Sequence, residues 1–258
     1  MSTDTHFELP PKFDWRSWVV RWDSMQQRYL PRRDERLERV IQLIRSTQNA
    51  VTRVADLGCG TGSLTALILE RFPDVHVYGV DFDPTVLPLA RERLSGFGNR
   101  AHLLRRDLRN ESWVKDLPFP LDAAISATAL HWLSPSQMER LYCQLGHVIR
   151  QDGIFLNADH VSSESAVIQK AWESECAEMR AQEGSSDNES WEEFWSSYLE
   201  ALGVDACRIR KEALGEWEGS ESGLPLSWHL DWLRANGFIA VDCFWRCGFD
   251  AIYGGIRA

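Results

Sequence analysis

One stretch, VADLGCGTG at residues 54–62, constrains this chain more than any other. A buried apolar strand pattern runs straight into three glycines within five residues. Glycine lets a backbone turn that sharply and approach a ligand closely. The next segment, SLTALILERF, reads as a helix. Strand, tight turn and helix open a parallel α/β unit, whose ligands bind beyond the carboxyl ends of the strands.

The same alternation continues downstream. VHVYGVDFD reads as a second strand ending in acid, and PTVLPLARERL as a helix opened by Pro84. AHLLRRD is a third strand, again ending in acid, and LDAAISA a fourth. PSQMERLYCQLGHVIRQDG reads as a helix stopped at Gly153, before a fifth strand, GIFLNADH. Such alternation predicts a parallel sheet with right-handed crossovers. Upstream, Arg32 to Thr47 reads as an amphipathic helix with Pro31 in its first turn.

Residues 161–224 break the pattern as helices interrupted by GSSDNES. A helix ending at Gly237 and an antiparallel hairpin then close the chain. The expected division is an N-terminal helical segment (1–49) covering the site, a core (50–160 and 225–258), and a helical cap insertion (161–224). Long insertions near strand ends are often functional, which favours a lid or substrate cap.

Composition narrows the class. With 44% apolar residues in 258, the chain buries a sizeable core. It has no apolar run long enough to span a bilayer, and the N-terminus lacks the basic and apolar regions of a signal peptide. The expectation is a cytoplasmic protein without a membrane partner. The net charge is −10, and between Glu164 and Gly223 fifteen acidic side chains face five basic ones. Nucleic-acid binding needs clustered Lys and Arg, so no nucleic-acid partner is expected. The six cysteines form no CxxC pair and no metal-ligand spacing, so no metal or disulfide framework is expected.

Two cofactor classes compete for the glycine turn. A pyrophosphate prefers G-x-G-x-x-G, and here the third glycine comes one position early. Asp56, just before the turn, would repel a pyrophosphate but suits the ammonium of an amino acid. Further acids stand 25 and 51 residues beyond it, at Asp81 and Asp107.

The series VADLGCGTG, VYGVDFD, LLRRDL and LDAAISATALHWL resembles the class I S-adenosylmethionine-dependent methyltransferases across residues 50–160. ATALHWL is similar to a small-molecule subgroup that includes trans-aconitate, malonyl-carrier-protein and juvenile hormone acid methyltransferases. The resemblance implies a doubly wound, seven-stranded, mostly parallel Rossmann-like sheet, ordered 3-2-1-4-5-7-6 with the seventh strand antiparallel. It implies S-adenosyl-L-methionine as cofactor and S-adenosyl-L-homocysteine as product. Gly58, Cys59, Gly60 and Gly62 would line the methionine and ribose portion, and Asp56 would bind the ammonium. Asp81 would accept both ribose hydroxyls, a task suited to an ionised carboxylate. Phe82 would pack on adenine, Asp107 and the Leu108 N–H would meet its edge, and Ala127 would lie beneath the cofactor.

Two histidines sit at strand ends expected to face the reacting carbon: His131 after the fourth and His160 closing the fifth. Either is a candidate base or a holder of an anionic substrate. Among twelve tryptophans, Trp132, Trp191 and Trp195 are candidate substrate contacts, with Trp22, Met25 and Tyr29 from the N-terminal segment, which with Gln26 is expected to close over the cofactor. An aromatic-lined pocket suits a flat or apolar acceptor, and with the acidic insertion it also suits a cation. The expected reaction is methyl transfer to a small molecule, oxygen slightly favoured over other atoms. Cyclisation of the cofactor with release of methylthioadenosine, and a non-catalytic cofactor-binding subunit, are the alternatives. Oligomeric state is left open.

Overall fold

The computed structural model describes residues 12–183, 189–203, 205–215 and 218–258. Seven strands form one sheet: β1 (Arg53–Leu57), β2 (His76–Asp81), β3 (Ala101–Arg105), β4 (Leu121–Ala127), β5 (Ile149–His160), β6 (Phe238–Cys247) and β7 (Asp250–Arg257). Their spatial order is β3-β2-β1-β4-β5-β7-β6. The first five run parallel, and β7 lies antiparallel between β5 and β6. The order reverses between β1 and β4, the crevice where ligands bind in open α/β sheets.

Both faces of the sheet are covered, as an apolar parallel sheet requires. On one face α2 (Arg33–Thr47) and α3 (Ser63–Arg71) bury Val40, Ile41, Ile44 and Ile68 against Val54, Val77 and Leu156. On the other, α5 (Pro135–Val148) and α9 (Leu226–Ala235) bury Tyr142, Leu145 and Leu233 against Ala55, Phe155 and Tyr253. A third cluster lies over the strand ends. It joins Trp18 and Met25 of α1 (Trp15–Tyr29), Leu89 of α4 (Leu87–Leu94), and Phe194 and Tyr198 of α7 (Trp191–Leu202). The segment between β5 and α9 also carries α6 (Ala166–Glu183) and α8 (Ala206–Leu214). None of the helices of the described residues is long and apolar enough to cross a membrane.

Three boundaries depart from the sequence reading. Pro84 does not open α4: the Asp83 carboxylate accepts from the Thr85 N–H and hydroxyl at 2.8 and 2.6 Å, fixing a turn first. The helix starts at Leu87, with Pro88 in its first turn. Pro31 precedes α2, whose N-cap is Arg32 in the left-handed region at φ 55°. Gly153 stops no helix, because α5 passes directly into β5 at Ile149.

Candidate active site

The glycine turn is tied down by its neighbour strand. The Gly58 and Cys59 N–H groups both donate to the Val80 carbonyl, at 2.8 and 3.1 Å. Gly58 has φ +69°, and a Cβ there would stand 2.4 Å from the Ala129 Cβ. Gly60, at φ +53°, has open space where its Cβ would be and lines a cavity at the strand ends. The first glycine therefore permits packing and the second leaves room for a ligand. Gly58→Ala combines backbone strain with a clash, at a cost of about 2 kcal/mol. It should lower the melting temperature by roughly 4–8 °C in a thermal melt, whereas an unchanged Tm would mean the turn relaxes freely.

Four carboxylates surround this turn. Asp81 ends β2 and accepts from the Gly60 N–H at 2.8 Å and the Asp83 N–H at 2.9 Å. Burial lifts its pKa to about 6, against the pull of those N–H donors. Asp56 is almost fully buried and accepts from the Thr65 hydroxyl at 2.6 Å. Burial, reinforced by the Asp81 charge, brings its pKa to about 7. Asp83 holds Arg210 of α8 at 2.9 Å, and that guanidinium lies 3.8 Å over the Trp195 ring. Asp107 accepts from the Arg109 N–H and Nε, and the Arg109 guanidinium sits 4.7 Å over the Phe82 ring. Asp56, Asp81, Phe82, Asp107, Leu108 and Ala127 all line the cavity, as do Gly58, Cys59 and Gly60. Gly62 does not; it packs against Leu94 and Ala90 of α4.

The ends of β4 and β5 supply the other wall. His131 lines the cavity from a short 3-10 turn, Leu130–Trp132. Its backbone N–H donates to Asp159 Oδ2 at 3.0 Å and its Nδ1–H to Asp159 Oδ1 at 2.6 Å. Asp159 is fully enclosed, yet its pKa is held well below the usual carboxylate range. Burial opposes ionisation there, but the His131 charge and hydrogen bond outweigh it. For His131, burial pushes the pKa down, the Asp159 charge and hydrogen bond push it up, and the net displacement is upward. With Nδ1 committed to Asp159, Nε2 is the nitrogen left for chemistry.

His160 is different from the sequence expectation: it is not on the cavity wall. It is buried behind His131, ring centroids 5.0 Å apart, and its Nδ1–H donates to the Glu221 carbonyl at 2.9 Å. Arg36 reaches the cavity through the interior, donating to Asp250 at 2.6 Å and to the Thr128 hydroxyl at 3.1 Å. Thr128, at the end of β4, is held at φ 54°, an unusual conformation for a β-branched residue and one that clusters at functional sites. The loop 219–223 clasps both histidine turns by backbone. Gly219 and Ser220 donate to the Trp132 and His131 carbonyls at 3.1 Å. A Cβ on Gly219 would come within 2.2 Å of the His131 carbonyl oxygen, and one on Gly223 equally close to that of His160.

Trp22, Tyr29, Trp132, Trp191 and Trp195 line the cavity. Met25 does not, being fully buried between α1 and α7, and the neighbouring Gln26 takes its place on the wall. Trp217 lies outside the described residues. The sequence reading missed Arg33, Arg36, Asp159, Arg210 and Glu221. Of these, only Asp159 stood beside a residue already singled out.

A methyltransferase-domain family model matches residues 54–153, the segment from the glycine turn to the start of β5. Over that segment the chain carries a methyltransferase domain. Among curated relatives, the trans-aconitate 2-methyltransferase of Azoarcus sp. is 34% identical over 113 residues, 43% of this chain and 41% of that one. The carboxy-S-adenosyl-L-methionine synthase of Campylobacter lari is 26% identical over 149 residues, 58% and 62% of the two chains. These matches span less than two thirds of either relative's length. In fold, the chain is similar to an O-methyltransferase family 2 protein from Planctomyces limnophilus. That likeness has a TM-score of 0.58 at 15% identity, over 96% of this chain and 63% of the other. An O-methyltransferase family protein from Burkholderia thailandensis gives a TM-score of 0.55 at 16% identity, over 87% and 58%. The fold is thus shared with these two proteins.

Proposed function

We propose that the protein transfers a methyl group from S-adenosylmethionine to an oxygen of a small-molecule acceptor, a carboxylate being favoured. The observation that carries this is the Asp81 carboxylate. Two backbone N–H groups fix it at the lip of the open Gly60 position, facing a cavity rather than a cation. The residues present fit the cofactor. Asp81 suits a ribose diol, Asp56 an ammonium, and Phe82 with Leu108 the adenine. When bound, the cofactor supplies an electrophilic methyl carbon on a sulfonium.

The protein's own task is then to hold the acceptor in line and exclude water. Alignment of that kind supplies on the order of 7–11 kcal/mol of barrier reduction. A carboxylate needs no general base, so His131 acts in its protonated form, donating from Nε2 to the acceptor anion. Asp159 favours that form. His160 supports the turn from behind. Trans-aconitate 2-methyltransferases among the relatives are consistent with a carboxylate acceptor.

The test is incubation with methyl-labelled cofactor and a small-molecule extract, followed by mass spectrometry. A labelled ester is expected. Methylthioadenosine without a labelled acceptor would replace methyl transfer by cyclisation, and no cofactor consumption would leave a binding subunit.

A further inference from the structure

The acceptor end of the cavity combines an aromatic wall with unanswered hydrogen-bond donors. Trp22 and Trp191 stand 5.9 Å apart, Tyr29 stacks on Trp191 at 5.3 Å, and all three line the cavity. The same end reaches the buried cations: the Tyr29 hydroxyl donates to Glu221 at 2.5 Å, and Glu221 borders His160, which approaches the Asp250 partner of Arg36. Among the described residues, the buried side-chain donors without a partner are Arg36 Nε and Trp195 Nε1. Both residues are in the cavity wall. The other unpartnered buried atoms, Asn157 Oδ1 and His160 Nε2, belong to residues off that wall. The nearest carboxylate oxygens to Arg33, also on the wall, are 3.7 Å away, a loose pairing. Arg36 Nε and Trp195 Nε1 are closed off from solvent, so the donors a ligand meets on this wall are those of Arg33 and His131, and it must bring acceptor atoms.

Charge decides between ligand types. A cation would meet guanidiniums, because Arg210 covers Trp195 at 3.8 Å and Arg180 covers Tyr29 at 4.7 Å. The acidity of the insertion does not reach the wall as a free carboxylate, since Glu221 is engaged by Tyr29, and Asp83 of the core is engaged by Arg210. An aliphatic polyacid offers no flat apolar face to the Trp22, Tyr29 and Trp191 rings. A single anionic group on a flat apolar body satisfies both walls.

Building on the methyl-transfer reading, we propose that the acceptor is an aromatic monocarboxylate, its ring system against Trp22, Tyr29 and Trp191 and its carboxylate toward Arg36, Arg33 and His131. A carboxylate oxygen forms a bond to the methyl carbon as the carbon–sulfur bond breaks, and that electron pair stays on sulfur. The products are a methyl ester and the neutral thioether S-adenosylhomocysteine. No proton is released.

The test uses the whole protein loaded with S-adenosylhomocysteine, whose binding is first measured by calorimetry. Three probes follow by tryptophan fluorescence and by turnover with the methyl donor: 2-naphthoate, 2-naphthylamine and citrate. Naphthoate should quench tryptophan emission, bind at least tenfold tighter than the other two, and give the methyl ester. Trp191→Ala should raise its KM at least tenfold while leaving S-adenosylhomocysteine affinity within twofold. Preference for citrate or the amine, or a Trp191→Ala KM unchanged for naphthoate, would overturn the aromatic-acid assignment with the methyl-transfer reading intact. Failure to bind S-adenosylhomocysteine at all would overturn that reading, and this inference with it.

Discussion

Asp81→Ala should weaken S-adenosylhomocysteine binding at least tenfold, as read by isothermal titration calorimetry. The side chain does two things that alanine cannot. It fixes the Gly60 and Asp83 N–H groups, at 2.8 and 2.9 Å, and so holds the turn in shape. In the proposed reading it also presents an anion to the ribose hydroxyls. A hydrogen bond to a charged group contributes about 1.5–3 kcal/mol, and about 1.4 kcal/mol is already a factor of ten. Asparagine should fare little better, because its amide would confront an N–H donor. Unchanged affinity in Asp81→Ala would remove Asp81 from the cofactor site.

The same carboxylate predicts opposite pH trends for binding and for stability. Its pKa is raised from 3.8 to about 6 by burial, and that of Asp56 to about 7. Cofactor affinity should therefore decline as pH falls through 7 to 5, when both groups take up protons. The unloaded protein should change the other way. Between the unfolded value and these raised values the folded state binds more protons, so this contribution to stability shrinks as pH rises.

Asp159→Asn should lower kcat/KM about tenfold or more at neutral pH and move the alkaline limb of its pH profile to lower pH. His131 must be protonated to donate to an anion, and its pKa is raised because Asp159 outweighs burial. At saturating cofactor the His131 contribution should be fully present below that raised value and be lost as pH rises through it. Asparagine removes the anion and leaves burial to push the imidazole toward neutrality. The loss of a charge-assisted hydrogen bond sets the magnitude. A merely structural role for Asp159 would lower activity and Tm without moving the limb. Wild-type activity that climbs with pH would instead make His131 a general base.

Much of this was legible before any coordinates. The strand order came with the family resemblance; the strand–glycine–helix opening and the acid-terminated strands gave the parallel sheet and the side on which ligands bind. These are local signals: a period of two, a period of 3.6 and a glycine triplet. The errors were local as well. Proline and glycine read as helix punctuation at Pro84, Pro31 and Gly153, but an Asp83 side-chain turn, a left-handed Arg32 and a helix running directly into a strand decide the boundaries. The acceptor wall was less readable. Arg36 reaches it from 214 residues away in sequence from its partner Asp250, and no spacing rule links them. Met25 and Gln26 are neighbours on one helix, and which of them faces the cavity depends on how α1 meets α7. His160 looked equivalent to His131 because both follow strands, but the returning loop covers one and leaves the other open.

That returning loop holds the histidine turns through main-chain atoms. Its grip is indifferent to most of its own side chains and depends on Gly219 and Gly223 being bare. The 161–224 excursion is therefore moored at its exit as well as its entrance, where Ser162 bridges Pro225. Mutational drift can rewrite the helices between those moorings, and with them the shape offered to an acceptor, while the proton-bearing imidazole stays where it is.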